Sequence, residues 1–475
     1  MKTKLYSLFA FICILGNIAT AQETYEWGAK FEFDPENEKD VKFAMVDNYN
    51  TFLTSYIDVY GMVAEHKLLV RKFDQKNQLI ETYTTELPTF DKGAYYNYIG
   101  SADAGKDKVV FFSEAYVGKT KKKEISQTVF DKSTGKFTSM VIANIPIESA
   151  MKSGTTYFEL SQNKRFAAIR HEKHSGRKDP QVNIITVIDL QNISTVWNKE
   201  YIFQDGFHAK SYGVSNTGNI VIVAADKATK LQDYLLLGSA LGFEKKAFST
   251  YMEVHKPTIF NIGQKEYLIA FNKEVKGIIK DPYENILLYD LESGNVIANN
   301  KAVGLYSHKD IVDVSIRNLF IENNEIVIFS EGKLKAGTKE QKSYGSTMTI
   351  PTAYYHFTPS YMIKLSLEGE IKQKVKLEIS NNNEADLYHS FGVNLNKGKF
   401  YIKTSGYSGI IHLQIDGSHT PVFYIDGGTD PNKTSQMKYI NQLTHYLPDS
   451  NTFILTRTID QNGMSLVSVK GANIK

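Results

Sequence analysis

Along Asn285–Asn299 apolar and polar positions alternate, break at Glu292-Ser293-Gly294 and then alternate again. Period-two alternation around a Ser-Gly break predicts a tight β-hairpin, because glycine accepts positive φ without a Cβ clash. Related hairpins recur at Leu68–Thr82, Ile125–Val141, Ile185–Asn198, Tyr234–Ser249, Tyr361–Leu377 and Ile410–Ile425. Their turns are entered at Asp74, Asp131, Asp189, Gly238, Asp290, Ser366 and Asp416, which lie 49–76 residues apart.

A second element precedes these hairpins: a polar turn followed at once by a dense apolar run. It reads Asn163-Lys164-Arg165 before FAAI, Asn216–Asn219 before IVIV, Gly263–Glu266 before YLIA and Glu322–Glu325 before IVIF. Asn396–Lys399 before FYI and Pro448–Asn451 before TFIL continue it. The dense run predicts a strand buried on both faces, and the alternating pair predicts an outer, half-exposed hairpin. Each unit is then four strands, and four-stranded units of about 40–50 residues are the blades of a β-propeller. The predicted fold class is therefore all-β, a propeller of eight blades over 42–90, 91–148, 152–205, 208–253, 255–306, 311–380, 385–427 and 436–475. The last unit shows three strands, so the N-terminal strand Tyr25–Phe33 is expected to complete it and close the ring. A seven-blade ring follows instead if the unit around Gly238 is incomplete. No Pro/Gly/Ser linker divides the units, which argues against a two-domain arrangement.

The N-terminal stretch changes the compartment. Lys2 and Lys4, the apolar run Leu5–Leu15 and Ala19-Thr20-Ala21 predict a signal peptide over 1–21, leaving 22–475 as a single propeller domain. The run is shorter than the roughly 20 residues of a membrane-spanning helix. Cys13, the only cysteine, lies inside it, and Ile12 precedes it where a lipobox wants a small residue. The mature chain thus has no disulfide or thiolate chemistry and depends on its core. Without Lys2 and Lys4 the balance is 53 basic against 52 acidic residues, so no global field selects nucleic acid or anionic membrane.

Insertions concentrate between the second and third strands of a unit: Val117–Lys123, Lys173–Pro180, Lys276–Pro282 and the long Lys335–Ser360. In a propeller these share one face of the disc, so one decorated and one plain face are expected. The long insertion carries Tyr344, Tyr354, Tyr355, His356 and Phe357, aromatic residues suited to a protein partner. Lys119, Lys121, Lys122 and Lys123 offer a basic tip to an acidic partner or to lipid head groups.

Candidate chemistry is sparse. His171 and His174 stand three apart at a strand end, a spacing that does not gather metal ligands on one strand face, and no HExxH accompanies them. Asp426–Asn432 lacks the ligand spacing of a calcium loop and reads as a blade connection. GxSxG, GxGxxG and GxxxxGK[ST] are absent, so no nucleophile elbow, cofactor or nucleotide site is expected. Paired carboxylates in the mouth would make a glycan hydrolase or lyase, the alternative class, to which His308, Lys309, Asp310 and Asp313 are candidate contributors.

The motif apolar–Asp–x–x–Ser/Thr–Gly–x–apolar, as in FDKSTGKF and YDLESGNV, resembles the outer hairpins of quinoprotein-like and TolB-like propellers. Sialidase Asp-box, WD, kelch, YWTD and tryptophan-docking signatures are absent. The Lys/Asn/Ile-rich composition with this leader looks like exported proteins of Bacteroidota. In class and size the chain resembles soluble periplasmic subunits that associate with the type IX outer-membrane translocon and can plug it. That resemblance implies a non-enzymatic interaction module with a protein partner in an envelope complex. The C-terminal SLVSVKGANIK is taken up by the last blade rather than by a sorting domain, which implies retention in the periplasm over secretion.

Overall fold

The computed structural model describes residues 24–34, 37–47, 49–59, 65–87, 95–105, 107–176, 179–203, 206–226, 233–248, 252–276, 279–280, 283–302, 304–306, 311–342, 349–377, 391–404, 409–413, 418–424, 438–460 and 462–470. They form eight antiparallel sheets, each entered from its innermost strand. Those innermost strands are Glu38–Ala44, Tyr95–Ala104, Thr155–Leu160, Phe207–Val214, Met252–Ile262, Ile311–Glu322, Phe391–Asn396 and Lys438–Leu447. They define blades 1 to 8. The unit around Gly238 is a full blade, with Phe207–Val214, Ile220–Asp226, Asp233–Gly238 and Phe243–Ala247 in order.

The turns follow local chemistry. Asp290 Oδ1 accepts hydrogen bonds from the backbone N–H of Glu292 (2.9 Å) and Ser293 (3.0 Å), and Gly294 donates to the Asp290 carbonyl at φ +75°. Asp131, Asp74 and Asp189 repeat the arrangement through Ser133, Lys76 and Gln191. An aspartate that caps its own turn explains why the motif recurs at these four outer hairpins.

Blades are joined by side chains of alternating direction. In the second strand of blade 4, Ile220, Ile222 and Ala224 pack toward blade 3, whereas Val221 and Val223 pack toward blade 5. This is the period-two geometry of a strand buried on both faces. Eight buried apolar clusters fall one at each of the eight blade interfaces, including the closing interface of blade 8 with blade 1. Each fully buried Leu, Ile or Phe in them contributes about 1.5–3 kcal/mol. The outer strands expose their edges, as the alternation predicts.

Closure uses the N-terminal strand, as expected. Thr24–Trp27 and Phe31–Glu32 pair with Gly463–Lys470, outermost in blade 8. The crossing is tight: a Cβ on Gly28 would lie 2.4 Å from the Asn77 carbonyl oxygen and 2.8 Å from that of Leu466. Asn77 fastens the strand, donating from Nδ2 to the Glu26 carbonyl at 2.7 Å and accepting from Ser468 at 3.0 Å.

Candidate functional site

The second strands change character along their length. After the turn on the plain face each begins apolar, then becomes polar toward the decorated face. Val109–Phe112 give way to Ser113 and Glu114, Phe166–Ile169 to Arg170 and His171, and Leu268–Phe271 to Asn272 and Lys273. Ile326–Phe329 give way to Ser330 and Glu331, Phe400–Ile402 to Lys403, and Phe453–Leu455 to Thr456 and Arg457. All of these polar residues are buried. The decorated half of the ring is therefore a layer of buried polar and charged groups over an apolar half.

Buried charges require partners, and the layer supplies them. Arg71 forks onto Glu38, with Nη2 donating to Oε2 at 2.9 Å. Lys123 lies 3.0 Å from Glu114, and Lys210 and Lys273 approach Glu253 at 2.9 and 3.1 Å. Arg317 Nε donates to Glu331 at 2.9 Å. Arg170 donates to Asn183 Oδ1 at 2.6 Å and is held between the rings of Tyr157 (4.1 Å) and Tyr212 (4.9 Å). Burial opposes ionisation of Asp313, but hydrogen bonds and charge from His255 and Lys256 outweigh it and hold its carboxyl at about 2. Each of these carboxylates is committed to a cation, which fastens neighbouring strands and blades and disfavours a role as proton donor.

Among the described residues, two carboxyls on the innermost strands, which line the centre of the ring, behave differently. Glu159, on the innermost strand of blade 3, keeps solvent access while enclosed by the ring, and that enclosure pushes its carboxyl up to about 7 against the pull of Lys256. Asp103, on the neighbouring innermost strand, is likewise raised by enclosure, with Lys164 and Lys42 opposing. On the plain side the turn after Leu160 reaches over the channel: Gln162 Nε2 donates to the Leu319 carbonyl of blade 6 at 3.2 Å. Asn163 N–H donates to Asn216 Oδ1 of blade 4 at 2.9 Å. A groove of about 660 Å³ also opens on the plain face between blades 4 and 5, beside the exposed Leu241.

On the decorated face the expected long loop is a paired ribbon. Strands Glu325–Lys342 and Thr349–Ser366 of blade 6 stay in register from Glu325↔Ser366 to Lys342↔Thr349. Among the described residues the flanking strands follow only as far as Leu334 and Ser360. From Lys335 to Lys342 the ribbon thus projects beyond the sheet by about 25 Å at roughly 3.3 Å per residue. The smaller insertion in blade 5 does the same in miniature, Val275 and Lys276 pairing with Lys280 and Ile279.

The sequence candidates separate accordingly. Tyr344 lies outside the described residues; Tyr354 and Tyr355 pair with Gly337 and Lys335 in the arm. His356 is half-buried at its root. Phe357 is a correction: it is 5% exposed, packed beneath Arg317 and Lys333, and belongs to the core. Lys119, Lys121 and Lys122 are exposed at the blade 2 tip, whereas Lys123 is a second correction, buried on Glu114 because its side chain alternates inward from the strand. His171 is buried, bonded to Thr156 at 2.9 Å through Nδ1, and His174 is exposed. Among the described residues no three His, Cys, Asp or Glu gather as a metal site. His308–Asp310 and Asp426–Asn432 lie outside the described residues.

Sequence reasoning missed Glu114, Glu159 and the polar layer. The signal was present: a charged residue closing a doubly buried strand, as in VVFFSE, FAAIRH and IVIFSE, must have a buried partner.

No protein-family model matches the chain, and no curated protein does. Solved structures similar to it include the Dos1 propeller, at 9% identity over 93% of this chain and 94% of that one, with a TM-score of 0.44. Dihydro-heme d1 dehydrogenase NirN is similar at 11% identity over 92% and 71%, TM-score 0.39. The β-propeller domain of the Trilobed protease from Pyrococcus furiosus is similar at 12% over 81% and 95%, TM-score 0.34. The eight-blade architecture rests on the strand pairing itself.

Proposed function

We propose that this chain is a non-enzymatic periplasmic or secreted propeller that binds another protein of the cell envelope through its decorated face. The partner we favour is a component of an outer-membrane secretion complex of the type IX kind, the 1–21 leader directing export and 22–475 forming one domain. The observation that carries the reading is the arm from Lys335 to Lys342, paired with Thr349–Tyr355 and continued past the last flanking-strand pairs among the described residues. A lone two-stranded ribbon is marginal in water and gains stability when a partner covers it. Its sequence carries Lys335, Lys339 and Lys342 against Glu340, and Lys119, Lys121 and Lys122 stand exposed on the same face, so an acidic partner surface fits. Deleting 336–354 is expected to abolish partner capture from native envelope, with partners identified by mass spectrometry, while Tm moves by no more than about 2 °C. Unchanged capture refutes the reading.

A second reading, a glycan hydrolase or lyase, draws on Glu159, a channel carboxyl held near neutrality as a general acid requires. Glycan cleavage by the purified chain that disappears in Glu159→Gln would establish it.

A further inference from the structure

We propose that the cavity between blades 2 and 3 on the decorated face binds a neutral sugar unit, with Tyr96 and Tyr116 walling the sugar ring and Asn97, Glu114 and Lys123 bonding its hydroxyls. The cavity measures about 370 Å³, in the range of small-molecule sites and large enough for a hexose or a small disaccharide. Glu114 and Lys123 line it although only 8% and 3% exposed. Charged groups so deeply withdrawn from water, yet bordering an open cavity, are pre-placed hydrogen-bonding groups.

Their positions are held from behind. Asn97 Nδ2 donates to Glu114 Oε1 at 3.2 Å, and Thr156 Oγ1 donates to Oε2. Lys123 Nζ lies 3.0 Å from Oε2 and 3.4 Å from the Gly154 carbonyl. Behind Thr156, His171 is kept neutral: burial, with Lys123, Lys173 and Arg170 nearby, pushes its imidazole down to about 3.

The charge balance selects the ligand class. Glu114 and Lys123 cancel and His171 adds nothing, so the cavity has strong donors and acceptors without net charge. An anion would face Glu114 and a cation would face Lys123. A hydroxyl both donates and accepts, and so satisfies the carboxylate and the ammonium together. Two tyrosine rings supply the apolar walls that suit the C–H face of a pyranose. Met151, 89% exposed on the short 3-10 turn Ala150–Lys152, stands at the rim beside the entrance.

The test is calorimetric titration of the full mature chain with methyl glycosides of neutral hexoses and N-acetylhexosamines and their disaccharides, with glutamate and arginine as charged comparators. Saturable binding of at least one neutral sugar is expected, weakened about tenfold or more by Tyr116→Ala and by Asn97→Ala, the loss of about one good contact. Tyr116 is half-buried and Asn97 exposed, so both variants should remain folded, with Asn97→Ala melting a few degrees lower because buried Glu114 loses one hydrogen-bond partner. Absence of sugar binding at millimolar concentration, tighter binding of a charged comparator, or wild-type affinity in both variants overturns the proposal. Deleting the arm should leave sugar binding intact, so this inference and the protein-docking reading fail separately.

Discussion

The plain half and the decorated half of each blade are made from the same strands, yet they are held by different physics. Near the plain face Val109–Phe112, Phe166–Ile169 and Ile326–Phe329 bury apolar side chains on both sides. A few residues further on, Glu114, Arg170 and Glu331 are equally withdrawn from water but survive through specific partners. Apolar packing is additive and tolerant, whereas a buried ion is tolerated only while its partner is in place. The half that carries the arm and the blade 2–3 cavity is thus the half where geometry is specified most strictly.

Breaking a pair should show the contrast at its largest. Glu38→Ala leaves Arg71 charged and buried, and urea unfolding should report a loss of about 3–5 kcal/mol. Replacing both, Glu38→Leu with Arg71→Met, should recover most of it. A single variant as stable as wild type would remove the distinction between the halves.

Graded behaviour is expected in the apolar half. Phe112→Ala should cost about 3–5 kcal/mol, and Ile169→Val about 0.5–1.5 kcal/mol, following the volume removed. Comparable losses from both, read in the same unfolding assay, would show that this half is specified as strictly as the polar one.

Acid should act on the polar half, with a smaller effect. The folded pKa of His171, about 3, lies below its unfolded value near 6.5. Between these values the unfolded chain binds a proton that the folded chain refuses, so stability falls as pH drops through the window. One proton corresponds to at most about 1.4 kcal/mol per pH unit. Glu159 and Asp103, whose carboxyls are raised, act in the opposite sense. The readout is therefore the difference between wild type and His171→Gln, whose acid limb should be flatter between pH 6 and 4. Superimposable limbs would count against a neutral, buried His171.

What the sequence determined was everything that depends on period and on local turns. Period-two alternation, dense apolar runs and self-capping aspartates such as Asp131 and Asp290 specified four-stranded blades and the completion of blade 8 by the N-terminal strand, whereas the choice of eight blades over seven waited on the full pairing of the unit around Gly238. These are local properties, and a strand's face is decided by its neighbours in the chain. Which side chain meets which was decided in three dimensions. Lys123 reads as part of a basic tip until its strand alternates it inward onto Glu114, and Phe357 reads as a loop aromatic until Arg317 covers it. The insertion at Lys335 could be counted from the sequence but not seen to stay paired, because its ladder relies on cross-strand bonds and has little apolar pattern. Glu159 stands in an ordinary alternating strand, and only closure of eight blades around it raises its carboxyl, since the enclosing mass comes from distant parts of the chain.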